Sequence, residues 1–140
     1  MITFQLNSAN TKLDYIFLPL FKKICNETSE KLKIKSNKFF EANFITSAKI
    51  KTLNDKYRHI NEATDVLSFS VEHDKLIGEI FIAVDYAKKE AKIHNWTVKY
   101  EICLLFTHGL LHLLGFDHNN KMKERIMFNL QDKIVKNVVE

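Results

Sequence analysis

A chain of 140 residues with 46% apolar and 27% charged residues, one proline and three glycines has the composition of one globular domain, long enough to bury about two-thirds of its unfolded surface. This excludes a low-complexity or disulfide-dense chain, and no apolar run approaches the roughly 20 residues needed to span a bilayer. The net charge of +4 is compatible with a polyanionic partner but too mild to demand one.

Met1 to Leu6 alternates apolar and polar residues and predicts a strand. It lacks the basic-then-apolar layout of a signal peptide, so a cytoplasmic protein is expected. Asn10 or Thr11 can cap a helix reaching about Glu30, with Leu13, Ile16, Phe17, Leu20, Phe21 and Ile24 as its apolar stripe. Pro19 inside that span predicts a kink or an interruption. Lys38 to Ser47 alternates again and predicts a second strand, followed by a short helix through Ile50, Leu53 and Tyr57. Arg58 to Thr64 has no apolar pattern and is expected to be a polar loop.

Val66 to Phe69 and Ile77 to Ala83 predict two more strands, joined by a turn at His73-Asp74-Lys75. Gly78 predicts a bulge or a close backbone approach. Tyr86 to His94 is a lysine-rich amphipathic helix whose cations form a solvated face. Thr97 can cap the next helix, which from Ile102 to Leu114 is apolar almost all round and must be enclosed by other elements. Lys121 onward is a last helix carrying Met122, Ile126, Met127, Leu130 and Ile134. Cys25 and Cys103 fall singly in apolar helical patterns and are expected in the core. The order of elements predicts an α+β fold in a single domain, a small mixed four-stranded sheet covered by about five helices.

The enclosed helix carries the chemistry. His108 and His112, four apart, share one helical face, and Gly115 can end the helix and return His118 toward them. One histidine on an apolar helix is more often a core or surface residue than a ligand. Three that converge, with glycine at the bend, suit a four-coordinate transition metal with one position left open, the arrangement of a catalytic zinc site. Zinc is therefore expected, one per chain, although imidazoles also suit nickel, cobalt and copper. Asp117 fits as an acceptor for the outer ring N–H of a ligand, or alternatively as a turn residue bonding its own backbone.

The same histidine spacing occurs in the metzincin peptidases, which place glutamate directly after the first histidine as general base. Here that position is Gly109, which cannot take up a proton. A metal site without that base can still stabilise negative charge on a phosphodiester, given a cation to hold the phosphate. Only Arg58 and Arg125 are arginines, and Arg58 is the candidate for that cation; its alternative is a surface ion pair with Glu62 or Asp65.

The stretch His108-Gly109-Leu110-Leu111-His112-Leu113-Leu114-Gly115-Phe116-Asp117-His118 resembles the signature of the YbeY family, bacterial single-strand-specific endoribonucleases of ribosomal RNA maturation. Two further blocks agree in order: Leu53-Asn54 with Tyr57-Arg58, and Thr64-Asp65-Val66-Leu67-Ser68-Phe69 followed by Gly78-Glu79-Ile80. The resemblance implies zinc on His108, His112 and His118, and Arg58 in the same cleft as a residue needed for RNA cleavage. It implies single-stranded precursor ribosomal RNA as substrate and the small ribosomal subunit or its proteins as partners, with no membrane and no DNA. It also implies roles in 3′-end maturation of small-subunit RNA and in ribosome quality control. The sequence departs from the family pattern at Ala63, Ser70 and Glu79, and the segment after His118 is short and poor in acidic residues. A metallopeptidase, or a non-catalytic ribosome assembly factor with a structural metal, are the competing readings.

Overall fold

The computed structural model describes residues 1–62 and 64–139, so Ala63 lies outside the described residues. The described elements are β1 (Ile2–Asn7), α1 (Thr11–Lys31), β2 (Lys38–Ile45), α2 (Ser47–Arg58), β3 (Val66–His73), β4 (Leu76–Ala83), α3 (Val84–His94), α4 (Val98–Leu113) and α5 (Lys121–Val139). The sheet order is β1-β2-β4-β3, with β1, β2 and β4 parallel and β3 antiparallel to β4. The expected α+β architecture, a mixed four-stranded sheet with five helices, is the one found.

Capping chemistry sets several of the boundaries. The Asn10 side chain accepts from the backbone N–H groups of Lys12 and Leu13, at 3.0 and 3.2 Å, and opens α1. Thr46 and Thr97 do the same for α2 and α4. Of the kink or interruption expected at Pro19, the interruption does not occur: α1 runs unbroken from Thr11 to Lys31. Proline removes one intrahelical bond, but the buried stripe of Phe17, Phe21, Ile24 and Cys25 holds the helix on the core regardless. Arg58 also differs from expectation, since it is the last residue of α2 and not part of a loop. His59 follows it in the left-handed conformation, with φ of 58°, and its N–H bonds back to Asp55.

β3 continues to His73, past the expected end at Phe69. Backbone pairing with β4 carries it on through exposed residues that have no apolar alternation to reveal a strand. Asp74, at φ of 59°, makes the turn into β4. Gly78 sits beside a register shift in the β2–β4 pairing, close against the Phe69 carbonyl, as a bulge or close approach predicts.

The main core lies between one face of the sheet and α1, α4 and α5. Phe40, Ala42, Ile80 and Ile82 point into it, and the rings of Phe21 and Phe106 stack there with centroids 3.7 Å apart. The opposite face carries a smaller cluster in which Ile50 of α2 meets Leu67 and Ala83. Helix α4 is buried continuously from Glu101 to Thr107, as its apolar circumference requires. Cys25 and Cys103 are buried and free; burial pushes both thiols up, that of Cys103 to about 12. No helix among the described residues is long and apolar enough to cross a membrane.

Gly109 is where α4 comes closest to the sheet. A Cβ placed on it would lie 2.8 Å from Cγ2 and 3.0 Å from Cδ1 of Ile80, itself fully buried. Alanine is ordinarily the better helix former by about 1 kcal/mol. Here overpacking outweighs that gain, and Gly109→Ala is expected to lower stability by about 1–2 kcal/mol in urea titrations. An unchanged or higher midpoint would show that α4 and β4 can separate without cost.

Candidate metal centre

Three elements of the chain converge on the site. Helix α4 presents His108 and His112 one turn apart, and their ring centroids are 4.7 Å apart. The helix then closes in a Schellman motif: the Gly115 N–H bonds to the His112 carbonyl and the Phe116 N–H to the Leu111 carbonyl, both at 3.0 Å. Gly115 adopts φ of 101°, which any side chain would resist, and the chain turns back. His118 thereby lies with its ring centroid 5.8 Å from that of His108 and 5.2 Å from that of His112. One ligand nitrogen from each of the three lies within 4.8 Å of the others, the only such grouping among the described residues.

The donor set fits a transition metal on its own chemistry. A metal needs neutral imidazole, and burial, reinforced by the neighbouring His108 and His118, holds His112 down at about 4. Burial likewise holds His108 below the ordinary imidazole range. Gln131 of α5 places Oε1 2.9 Å from Nδ1 of His108. An amide oxygen only accepts, so Nδ1 carries the hydrogen and Nε2 keeps its lone pair for a metal.

Asp117 lines the same cleft but spends its carboxylate locally, accepting from the Asn119 N–H at 3.3 Å and lying 3.8 Å from Nζ of Lys123. This contact is the one the turn alternative describes, and the outer partner of His108 is Gln131. The sequence carried a faint signal for it: Gln131 is a polar residue within the Met127, Leu130 and Ile134 stripe of an amphipathic helix. Its partner could be known only once α5 was packed on α4.

Arg58 reaches the cleft from the other side. Its Nη2 donates to the Ser68 carbonyl at 2.9 Å and the guanidinium lies 5.4 Å over the Phe69 ring. Among the described residues it makes no ion pair with Glu62 or Asp65, so its remaining N–H groups are available to a ligand. The cleft encloses about 550 Å³ between Arg58, Ser68 and Ser70 on one side and the three histidines with Asp117 on the other. Strand alternation explains the serines. Ser68 pairs with Ile80, so it faces α4 while Leu67 and Phe69 face α2.

A second cavity, of about 440 Å³, adjoins the first and shares Asp65, Val66 and His108 with it. Glu101 lines this cavity and accepts from Nε1 of Trp96 at 2.9 Å. Burial pushes its carboxyl above the ordinary range; the Trp96 hydrogen bond opposes this and the charge of Asp65 adds to it.

Fold and site together define a small α+β protein built around a candidate trihistidine metal centre at the floor of an open cleft. The profile of the family described as Endoribonuclease YbeY matches residues 4–139, and the chain belongs to that family. An endoribonuclease YbeY of Ureaplasma urealyticum is 41% identical over 126 residues, covering 87% of this chain and 81% of the relative. One from Oenococcus oeni is 34% identical over 140 residues, covering 93% and 92%. The solution structure of a Thermotoga maritima protein superposes with a TM-score of 0.66 at 27% identity, over 99% of this chain and 89% of that one.

Two outcomes follow from these contacts. Gln131→Leu should leave the circular dichroism of the fold intact while weakening metal affinity by about 10–100-fold in competition titrations, because it frees the His108 ring; unaltered affinity would remove Gln131 from the site. Folding raises the affinity of Glu101 for its proton, so this group weakens the fold as pH rises above the usual carboxylate range and is silent below it. Glu101→Gln should therefore melt higher than wild type at neutral pH, with the gap closing by about pH 4. A gap that widens on acidification would reverse the sign of that linkage.

Proposed function

We propose that this protein is a zinc-dependent endoribonuclease of single-stranded RNA, acting in 3′-end maturation of small-subunit ribosomal RNA and in ribosome quality control. The observation that carries the reading is the meeting of three imidazoles and an arginine in one cleft, in a chain belonging to a family named for endoribonuclease activity. His108, His112 and His118 would hold the metal. When bound there, it supplies Lewis acidity toward a phosphodiester.

The chain's own residues do the rest. Arg58, pinned by the Ser68 carbonyl, directs its remaining N–H groups at the non-bridging oxygens of the phosphate and stabilises charge as it builds there. Gln131 keeps His108 in the tautomer that offers Nε2 inward. Asp117 fixes the bend that returns His118. The centre is recessed, with His108 and His112 half-buried, so a bending single strand reaches it more readily than a stiff duplex. The ribosomal small subunit and its proteins are the partners this role requires, in the cytoplasm.

The peptidase alternative is disfavoured by Gly109. A glutamate there would have to occupy the space of Ile80, so the residue that would serve as peptidase base has no room. The assembly-factor alternative, with a structural metal, sits poorly with an exposed His118 and an open cleft, since structural zinc sites are closed.

Cleavage of single-stranded RNA by the purified protein should cease with a chelator and return with zinc, and metal analysis should find one ion per chain. Arg58→Ala should reduce cleavage by about a hundredfold or more while leaving metal content unchanged. Wild-type cleavage by that variant would remove Arg58 from the chemistry, and metal loss without loss of cleavage would remove the metal.

A further inference from the structure

The cavity behind His108 differs in character from the cleft in front of it. The cleft holds Arg58 and the metal ligands beside Asp65 and Asp117; the cavity shares Asp65, adds the carboxylates of Glu101 and Asp132, and has no lysine or arginine in its lining. Those acids do not gather closely enough to hold a metal: among the described residues only the three histidines do. Carboxylates repel the phosphates of a nucleic acid but accept hydrogen bonds from its bases.

Two aromatic rings at the cavity stand open to solvent. Trp96 is 40% exposed and stacks at 4.7 Å on His94; Phe128 is 38% exposed, with its centroid 5.9 Å from that of His108 and 6.2 Å from that of His118. Large apolar rings left exposed beside a reactive centre are the usual stacking platforms for unpaired bases. Glu101 supplies the independent sign of a ligand. It is only 5% exposed and one oxygen accepts from Trp96, while the other has no hydrogen-bond partner among the described residues and opens on the cavity that the side chain lines. A carboxylate oxygen facing such a cavity is an acceptor available to whatever enters it.

The geometry points to a nucleobase subsite here: a base next to the scissile phosphate stacks on Phe128 or Trp96 and donates N–H groups to Glu101, with guanine preferred. This rests on the RNA-cleaving reading above and specifies its substrate. Guanine presents two adjacent donors, N1–H and the 2-amino group, on its Watson–Crick edge. Adenine and cytosine present one amino group, and uracil offers a single N3–H flanked by two carbonyl oxygens that a carboxylate repels. The cavity volume of about 440 Å³ lies within the roughly 300–1,000 Å³ usual for small-ligand sites. Its shared wall at His108 sets the base beside the phosphate held by Arg58.

Trp96 is the single tryptophan of the chain, so its fluorescence reports on this cavity directly. The protein, loaded with zinc, is titrated with short uridine RNAs carrying one central guanosine, one inosine, or uridine throughout. The guanosine RNA should bind about tenfold more tightly than the all-uridine RNA, with inosine, which lacks the 2-amino group, between them. Glu101→Gln should bring the guanosine and uridine affinities together. Equal affinities for the three RNAs overturn the subsite, as does a guanosine preference that survives in Glu101→Gln. If that variant fails to fold, the inosine arm decides, because it changes no protein atom. Guanosine-selective binding without any cleavage would sink the nuclease reading and leave the subsite standing; cleavage without base preference would do the reverse.

Discussion

The packing of α4 against β4 is the constraint on which the site depends. With a glycine at 109 the helix backbone settles onto Ile80, and burial from Glu101 to Thr107 leaves that helix no freedom to roll. A rigid axis fixes the directions of His108 and His112, whose angle to each other is then a property of the fold more than of the rings. The same close approach sets the width of the cleft, because β3, paired to β4, carries Ser68 and Ser70 toward α4 and offers the Ser68 carbonyl to Arg58. A larger residue at 109 would push the two walls apart.

Electrostatics follow from this packing. Enclosing two imidazoles costs them their charge, which suits them to a metal and leaves Arg58 as the fixed cation of the cleft. Beyond His108 the second cavity shares Asp65 with the cleft, adds Glu101 and Asp132, and has no lysine or arginine in its lining. A strand of nucleic acid has the same two-part character, an anionic backbone and bases rich in hydrogen-bonding edges. The division of the surface at His108 matches it.

Much of the architecture was legible in the residues. Period-two and period-3.6 patterns located all four strands and five helices, and the apolar circumference of α4 announced its burial. Errors fell where a local rule met a stronger tertiary one. Pro19 breaks no helix because Phe17 and Phe21 hold both sides of it on the core. β3 outruns its apolar pattern because backbone pairing does not need alternation. Arg58 ends a helix because His59 can adopt a left-handed conformation that the sequence did not advertise.

The sequence by itself determined the three histidines, their spacing and the glycine that bends the chain between the second and third, since these are local relations within a dozen residues. Only the tertiary structure decided their partners. Gln131 stands 23 positions from His108, Ser68 ten from Arg58, and Trp96 lines the second cavity together with Phe128. Such pairings arise when helices and strands close over a common core, and side-chain hydrogen bonds between separate elements leave no periodic trace in the chain.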